Sequence, residues 1–252
     1  MSHKAANLGE IFEAGLEDVV VYSQGSKLLG GLYRGAGIGP RPTAILLHGV
    51  PGVEKNLDIA YRLRDEGWNC LYFHPRGSWG SEGSYSFSGA LDDVAAATDW
   101  LVAQPSVDPQ RLAIVGNSFG GYLAFTATKG DPRFRETVSI APLVDPTSVS
   151  LPDELFDEFA LMLNGAGGEE LKEQWDALPA IQTMSAALSS RSILLITAGK
   201  DELFPVSHYE SLAGELERLT WVRIAEADHV FSTCRMRLVT TAVDWLQKSL
   251  GS

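Results

Sequence analysis

Gly116-Asn117-Ser118-Phe119-Gly120-Gly121 is the stretch on which the reading of this chain turns. Before it runs Arg111-Leu-Ala-Ile-Val-Gly116, a short apolar segment with strand character. After it comes Tyr122-Leu-Ala-Phe-Thr-Ala-Thr128, which reads as a buried helix. A serine flanked by glycines at minus two and plus two, at a strand-to-helix junction, matches the nucleophile-elbow pattern. The need for glycine is steric, because a side chain at Gly116 or Gly120 would collide with the neighbouring strand or helix. The turn lifts the Ser118 hydroxyl above the sheet edge. It also sets the Phe119 N–H at a helix start, where the backbone dipole favours an anion.

Outward from this junction the chain alternates. Residues 18–23 and 27–33 are apolar runs split by Gln24-Gly25-Ser26, which predicts an antiparallel hairpin. Thr43-Ala-Ile-Leu-Leu-His48 has the near-continuous apolarity of a strand buried on both faces. A helix follows with Leu57, Ala60 and Tyr61 as its stripe, ending at Gly67. Residues 68–73 form the next strand, and residues 89–103 the next helix. Beyond the elbow, strands are expected at 136–140, 192–197 and 220–225, with helices at 206–218 and 232–249. Repeated strand–helix units imply a mostly parallel central sheet with helices on both faces, an α/β fold. Residues 146–190 break the alternation and read as a small inserted helical cap, with core segments 1–145 and 191–252 around it.

Composition narrows the partners. The 252 residues carry a formal net charge of −12 and are 45% hydrophobic, as one large domain requires. An acidic chain lacks the basic footprint that nucleic acid or an anionic membrane demands, so neither is expected as a partner. The two cysteines, Cys70 and Cys234, make no disulfide framework and read as buried small apolar residues. The first residues hold no apolar signal-like stretch and no segment reaches transmembrane length, so a cytoplasmic location is expected.

A serine hydroxyl needs a base, and the base needs a group to orient it. In a parallel sheet such groups gather at the carboxyl ends of the strands. Asp201 follows the strand at 192–198 and His229 follows the strand at 220–226, which makes them the expected acid and base. Asp145 is the alternative acid, whereas Asp228 points away from its neighbour His229 and reads as structural. His48 ends a strand and reads as structural, His74 is ambiguous, His208 sits on an exposed-looking helix, and His3 is expected in a frayed terminus. The loop His48-Gly49-Val50-Pro51-Gly52 stands opposite the elbow, so the Val50 N–H joins the Phe119 N–H as an expected oxyanion donor. The histidines lack metal-ligand spacing, and the glycine-rich pieces do not run from strand into helix as a phosphate loop would; neither metal nor cofactor is expected.

These motifs, with Gly199-Lys-Asp201 and Asp228-His229-Val-Phe231, resemble those of the α/β-hydrolase superfamily over nearly the whole chain. The order Ser118, Asp201, His229 is that of the superfamily. Arg76-Gly77-Ser78-Trp79-Gly80-Ser81 resembles its R-G-x-G-x-S loop with one extra residue before the second glycine. Within the superfamily the chain is similar to small bacterial esterases of the feruloyl/cinnamoyl type and to catalytic domains of prolyl-oligopeptidase-like enzymes. At 252 residues, the propeller of those peptidases is not expected here. The resemblance implies a serine hydrolase that cleaves small-molecule carboxylic esters of compact acyl groups. Thioesterase, lactonase, small-peptide hydrolase and acyltransferase chemistry stay open under the same residues, as does a slow binding or sensing protein on this fold. Phe156, Phe159 and Met162, on an apolar stripe of the cap, are expected to line the substrate cavity.

Overall fold

The computed structural model describes residues 9–251, so His3 lies outside the described residues. Its centre is set by apolar runs that alternate between two layers. In β5 (Arg41–Leu47), β7 (Val107–Asn117) and β9 (Ser192–Ala198) nearly every residue from the middle onward is buried. Ile45, Leu47, Leu112, Ile114, Ile193 and Leu195 enter one core. Their neighbours Ala44, Leu46, Ala113, Val115, Leu194 and Ile196 enter the other. A strand with both faces in hydrophobic surroundings reads as a continuous apolar run for this reason.

The eight-stranded sheet also contains the hairpin strands β2 (Gly15–Ser23) and β3 (Ser26–Arg34), with β6 (Asn69–Phe73), β8 (Phe134–Ile140) and β10 (Leu219–Ile224). Their order is β10-β9-β8-β7-β5-β6-β3-β2, parallel except where β3 meets β2 and β6. A separate two-stranded pair joins β1 (Ile11–Phe12) and β4 (Gly37–Ile38). Helices α1 (Leu57–Asp65) and α8 (Arg235–Leu250) cover one face; α2 (Phe87–Val102), α3 (Phe119–Gly130) and α7 (Ser207–Glu215) cover the other. From β5 the chain goes to β6 on one side and then crosses to β7 on the other. Loops after β5 and β7 therefore diverge at the carboxyl edge, and a crevice opens between them.

The α1 stripe differs from its expected form. Ile59, Ala60 and Leu63 are buried, while Tyr61 is 46% exposed. Ile59 and Leu63, four apart, share the face that meets the sheet, and Tyr61 is rotated to the edge. There its ring sits edge-on against Tyr33, with centroids 4.8 Å apart.

Between β8 and β9 lie a 3-10 turn (Pro146–Ser148), α4 (Asp153–Met162), α5 (Gly168–Asp176), a second 3-10 turn (Ile181–Met184) and α6 (Ser185–Leu188). Phe156, Phe159, Leu171 and Trp175 join the core layer of α2 and α3. The segment is tied down where it leaves and returns: the Ile181 N–H donates to the Val144 carbonyl at 2.7 Å, and the Tyr122 hydroxyl donates to the Pro179 carbonyl at 3.0 Å.

Candidate active site

Ser118 is held in a conformation that its side chain disfavours, with φ 55° and ψ −123°. Four backbone hydrogen bonds fix it there. Its N–H donates to the Ile140 carbonyl at 2.9 Å, and its carbonyl accepts from Gly121, Tyr122 and Leu143. The flanking glycines are close approaches. A Cβ on Gly116 would stand 2.0 Å from the Gly120 carbonyl oxygen, and one on Gly120 would stand 2.2 Å from the Leu47 carbonyl oxygen. Both obstacles are backbone, which cannot swing aside. Phe119 opens α3, so its N–H has no carbonyl within the helix to bond.

Asp201 and His229 come together from the ends of β9 and β10. The His229 Nδ1 lies 3.0 and 2.9 Å from the two carboxylate oxygens of Asp201, whose side chain is fully buried. Oδ1 also accepts the N–H groups of Leu203 and Phe204, at 2.9 and 2.8 Å. A carboxylate only accepts, so Nδ1 carries the ring proton and Nε2 keeps its lone pair. His229 and Ser118 line one cavity of about 240 Å³. The other acids are spent on turns: Asp145 Oδ1 takes the N–H and hydroxyl of Thr147, and Asp228 takes the Ser232 N–H.

The loop after β5 presses on the elbow, since a Cβ on Gly49 would lie 2.9 Å from that of Ser118. Val50 lines the cavity. The loop is braced from behind. His48 Nδ1 donates to the Gly49 carbonyl at 2.7 Å, so its Nε2 must accept from His74 Nδ1, 3.1 Å away. Both rings are held neutral. Burial pushes His48 down to about 4, and burial followed by the nearness of His48 and Lys55 pushes His74 down to about 3. The Trp79 indole donates to the Pro51 carbonyl at 2.6 Å. On the far side Asn56 donates to the Asn117 side chain at 2.7 Å and accepts from Arg235, which also pairs with Asp58. Arg76 of the glycine-rich loop is equally structural, gripping the buried Asp93 of α2 and reaching the Ser23 hydroxyl.

The cap supplies Leu151, Leu155, Phe159 and Trp175 to the cavity wall. Of the three cap residues expected there, only Phe159 is present. Phe156 is buried behind it, its ring 5.9 Å from those of both Phe159 and Trp175, and it lines a neighbouring hollow instead. Met162 is 47% exposed because α4 ends at that residue: Leu163 turns extended and takes the buried place. His208 is a second correction. It is buried rather than exposed, its ring stacked on Phe204 with centroids 5.2 Å apart. The helical stripe alone does not reveal this, because the neighbour that covers His208 comes from the root of the cap. Glu54 and Glu202 also reach the cavity, and among the described residues no lysine or arginine lines it. Leu151, Trp175, Asn56, Arg235 and Glu202 carry no motif, and nothing in their local sequence marks them as site residues. Among the described residues no cluster of His, Cys, Asp and Glu is gathered as a metal site, and no helix is long and apolar enough to cross a membrane.

Comparison with known proteins accords with the fold. The model of the prolyl oligopeptidase family matches residues 56–252, and the chain belongs to that family. A Mycobacterium tuberculosis protein of uncharacterized function is 36% identical over 110 residues, covering 42% of this chain and 39% of its own. YfhR of Escherichia coli is 29% identical over 193 residues, 75% of this chain and 63% of its own. The chain thus matches under two thirds of the length of these relatives. Among solved structures, Est1E from Butyrivibrio proteoclasticus with bound ferulic acid superposes with a TM-score of 0.75 at 15% identity, covering 93% of this chain and all of that one. At that identity the likeness speaks to the α/β-hydrolase fold alone.

Proposed function

We propose that this member of the prolyl oligopeptidase family is a serine hydrolase that opens carboxylic esters of compact acyl groups through an acyl-enzyme. The observation that carries the reading is the Asp201–His229 pair sharing a cavity with a strained, glycine-flanked Ser118. Ser118 Oγ attacks the acyl carbon while its proton passes to His229 Nε2. Asp201 holds the ring in the tautomer that accepts this proton and stabilises the imidazolium that results. The Val50 and Phe119 amides take the tetrahedral oxyanion, each donor contributing roughly 3–4 kcal/mol. Collapse breaks the acyl–oxygen bond, and the leaving alcohol collects the proton from His229. Water then repeats the sequence on the acyl-enzyme and restores the serine.

The acyl group is compact because the cavity is small and roofed by Leu151, Leu155, Phe159 and Trp175. Glu54 and Glu202 at its lining favour neutral or cationic alcohols over anionic ones. The test is a panel of esters, thioesters and amides graded in acyl length, with Ser118→Ala as the blank. Wild type should turn over short esters, and Ser118→Ala should lose at least about a thousandfold in kcat while staying folded. Ester turnover surviving at about a tenth of wild type in that variant would contradict the assignment.

A further inference from the structure

One buried imidazole outside the proposed chemistry touches both halves of the site. His208 is 6% exposed and lies in the first turn of α7. Its Nε2 accepts the Val144 N–H at 2.9 Å. An amide can only donate, so Nε2 holds a lone pair, the ring proton sits on Nδ1, and Nδ1 donates to the Ser148 hydroxyl 2.7 Å away. Ser148 passes its own proton to the Asp145 carbonyl at 2.9 Å. The chain runs one way: the Val144 N–H donates to His208, His208 donates to Ser148, and Ser148 donates to the Asp145 carbonyl.

Val144 is a junction. Its neighbour Leu143 donates to the Ser118 carbonyl, and its own carbonyl receives the Ile181 N–H where the cap returns. The opposite side of the His208 ring stacks on Phe204 at an interplanar angle of 19°. Phe204 in turn donates its N–H to Asp201 and stands edge-on to His229, with centroids 5.2 Å apart. We infer that His208 is a positioning residue: it locks the Leu143–Val144 segment behind Ser118 to the Phe204 loop behind Asp201 and His229, and so sets the distance between nucleophile and base while anchoring the cap.

The physical case is that Ser118 and His229 ride on different loops, one after β7 and one after β10, with no strand neighbouring both. A nucleophile–base distance loose by about 1 Å costs on the order of a hundredfold in rate. A neutral ring with one lone pair and one N–H joins the two loops in a single orientation. Burial keeps it neutral, lowering its pKa to about 4 against the opposing pull of the Asp145 and Asp201 carboxylates, which are the charged groups that act on it. The Tyr209 ring is its other aromatic neighbour.

The inference rests on the serine-hydrolase reading, and the experiment separates the two. His208→Phe keeps the stack on Phe204 but can neither accept from Val144 nor donate to Ser148. His208→Gln can do both through its amide. Active sites are counted with a fluorophosphonate, and its labelling rate and ester kcat are measured per active site alongside Tm. Expected for His208→Phe is a loss of about tenfold or more in both rates with KM for a short ester little changed, and recovery of most of that loss in His208→Gln. If His208→Phe does not fold, His208→Gln and the exposed-site variant Ser148→Ala carry the test, with a severalfold loss expected for Ser148→Ala and near-wild-type rates for His208→Gln. Per-site rates within about twofold of wild type in His208→Phe, or in Ser148→Ala where that variant stands in, with only Tm lowered, would overturn the positioning role and leave the function intact. A wild-type protein that the phosphonate does not label would overturn the function itself, and the inference with it.

Discussion

Around Ser118 the backbone has no room to move: four hydrogen bonds hold one residue, and two glycines admit neighbouring backbone at distances no Cβ could tolerate. Around Phe159 the constraint is of another kind. Its helix α4 is placed by apolar contact of Phe156 with Trp175 of α5, and the Phe159 ring packs on Phe156 and lines the cavity. Hard constraint suits a group proposed to meet a reacting carbon. Soft constraint suits a wall whose shape selects among acyl groups, because van der Waals contact is graded whereas a backbone clash is not. The difference predicts that substitutions at the elbow act all-or-none and that substitutions in the cap act by degrees.

The sharpest break of that comparison is at the orienting acid. Asp201→Asn should lower kcat by about a thousandfold or more with the fold retained, because the amide donates where His229 needs an acceptor and so selects the wrong tautomer. Asp145→Asn, which touches only its own turn, should stay within a few-fold of wild type. A larger kcat loss at Asp145 than at Asp201, with both folded, would reverse the acid's assignment. Next comes Gly120→Ala. With the new methyl placed 2.2 Å from the Leu47 carbonyl, the loop after β5 must be displaced, and a stability loss of several kcal/mol is expected. Thermal unfolding measures it, and a Tm within about 2 °C of wild type would show that the crossing can relax.

Acid sensitivity compares the two regions directly, since His48 and His74 brace the elbow side and His208 the cap root. All three have pKa values lowered from 6.5, to about 4, 3 and 4 respectively, by burial above all. Between the ordinary histidine value and these lowered ones, the unfolded chain binds more protons than the folded one. Their stabilising contribution is therefore whole above about pH 6.5 and is lost as pH falls toward about 4 and 3. Tm should decline across that window, and His74→Phe and His208→Phe should each flatten the decline. A Tm constant from pH 7 to 4.5 would contradict the neutral-ring arrangement. The smallest effect belongs to the cap wall. Phe159→Ala should shift the preferred ester toward longer acyl groups, changing the ratio of kcat/KM between neighbouring lengths by about tenfold. Met162→Ala should leave the ranking unchanged. If both behaved alike, the cavity wall would have been assigned to the wrong face of α4.

The strand–helix alternation, the elbow and the positions of Asp201 and His229 were legible along the chain because each depends on local order. Strands buried on both faces demand apolar runs, a tight crossing demands glycine, and residues that follow parallel strands emerge at one edge whatever the packing. The family resemblance rested on those same short motifs. Packing across the sequence decided the rest. The hydrogen-bond partners of the His208 ring lie outside its own helix; it became a buried junction because Val144 and Ser148, some 60 residues earlier, fold over it. Met162 continues the apolar stripe on paper but loses its place because α4 ends there. Asn56 and Arg235, separated by 179 positions, share a hydrogen bond beside the elbow. A side chain's periodicity reports which face it occupies, but what stands opposite that face is set by the distant segment that the tertiary fold brings against it.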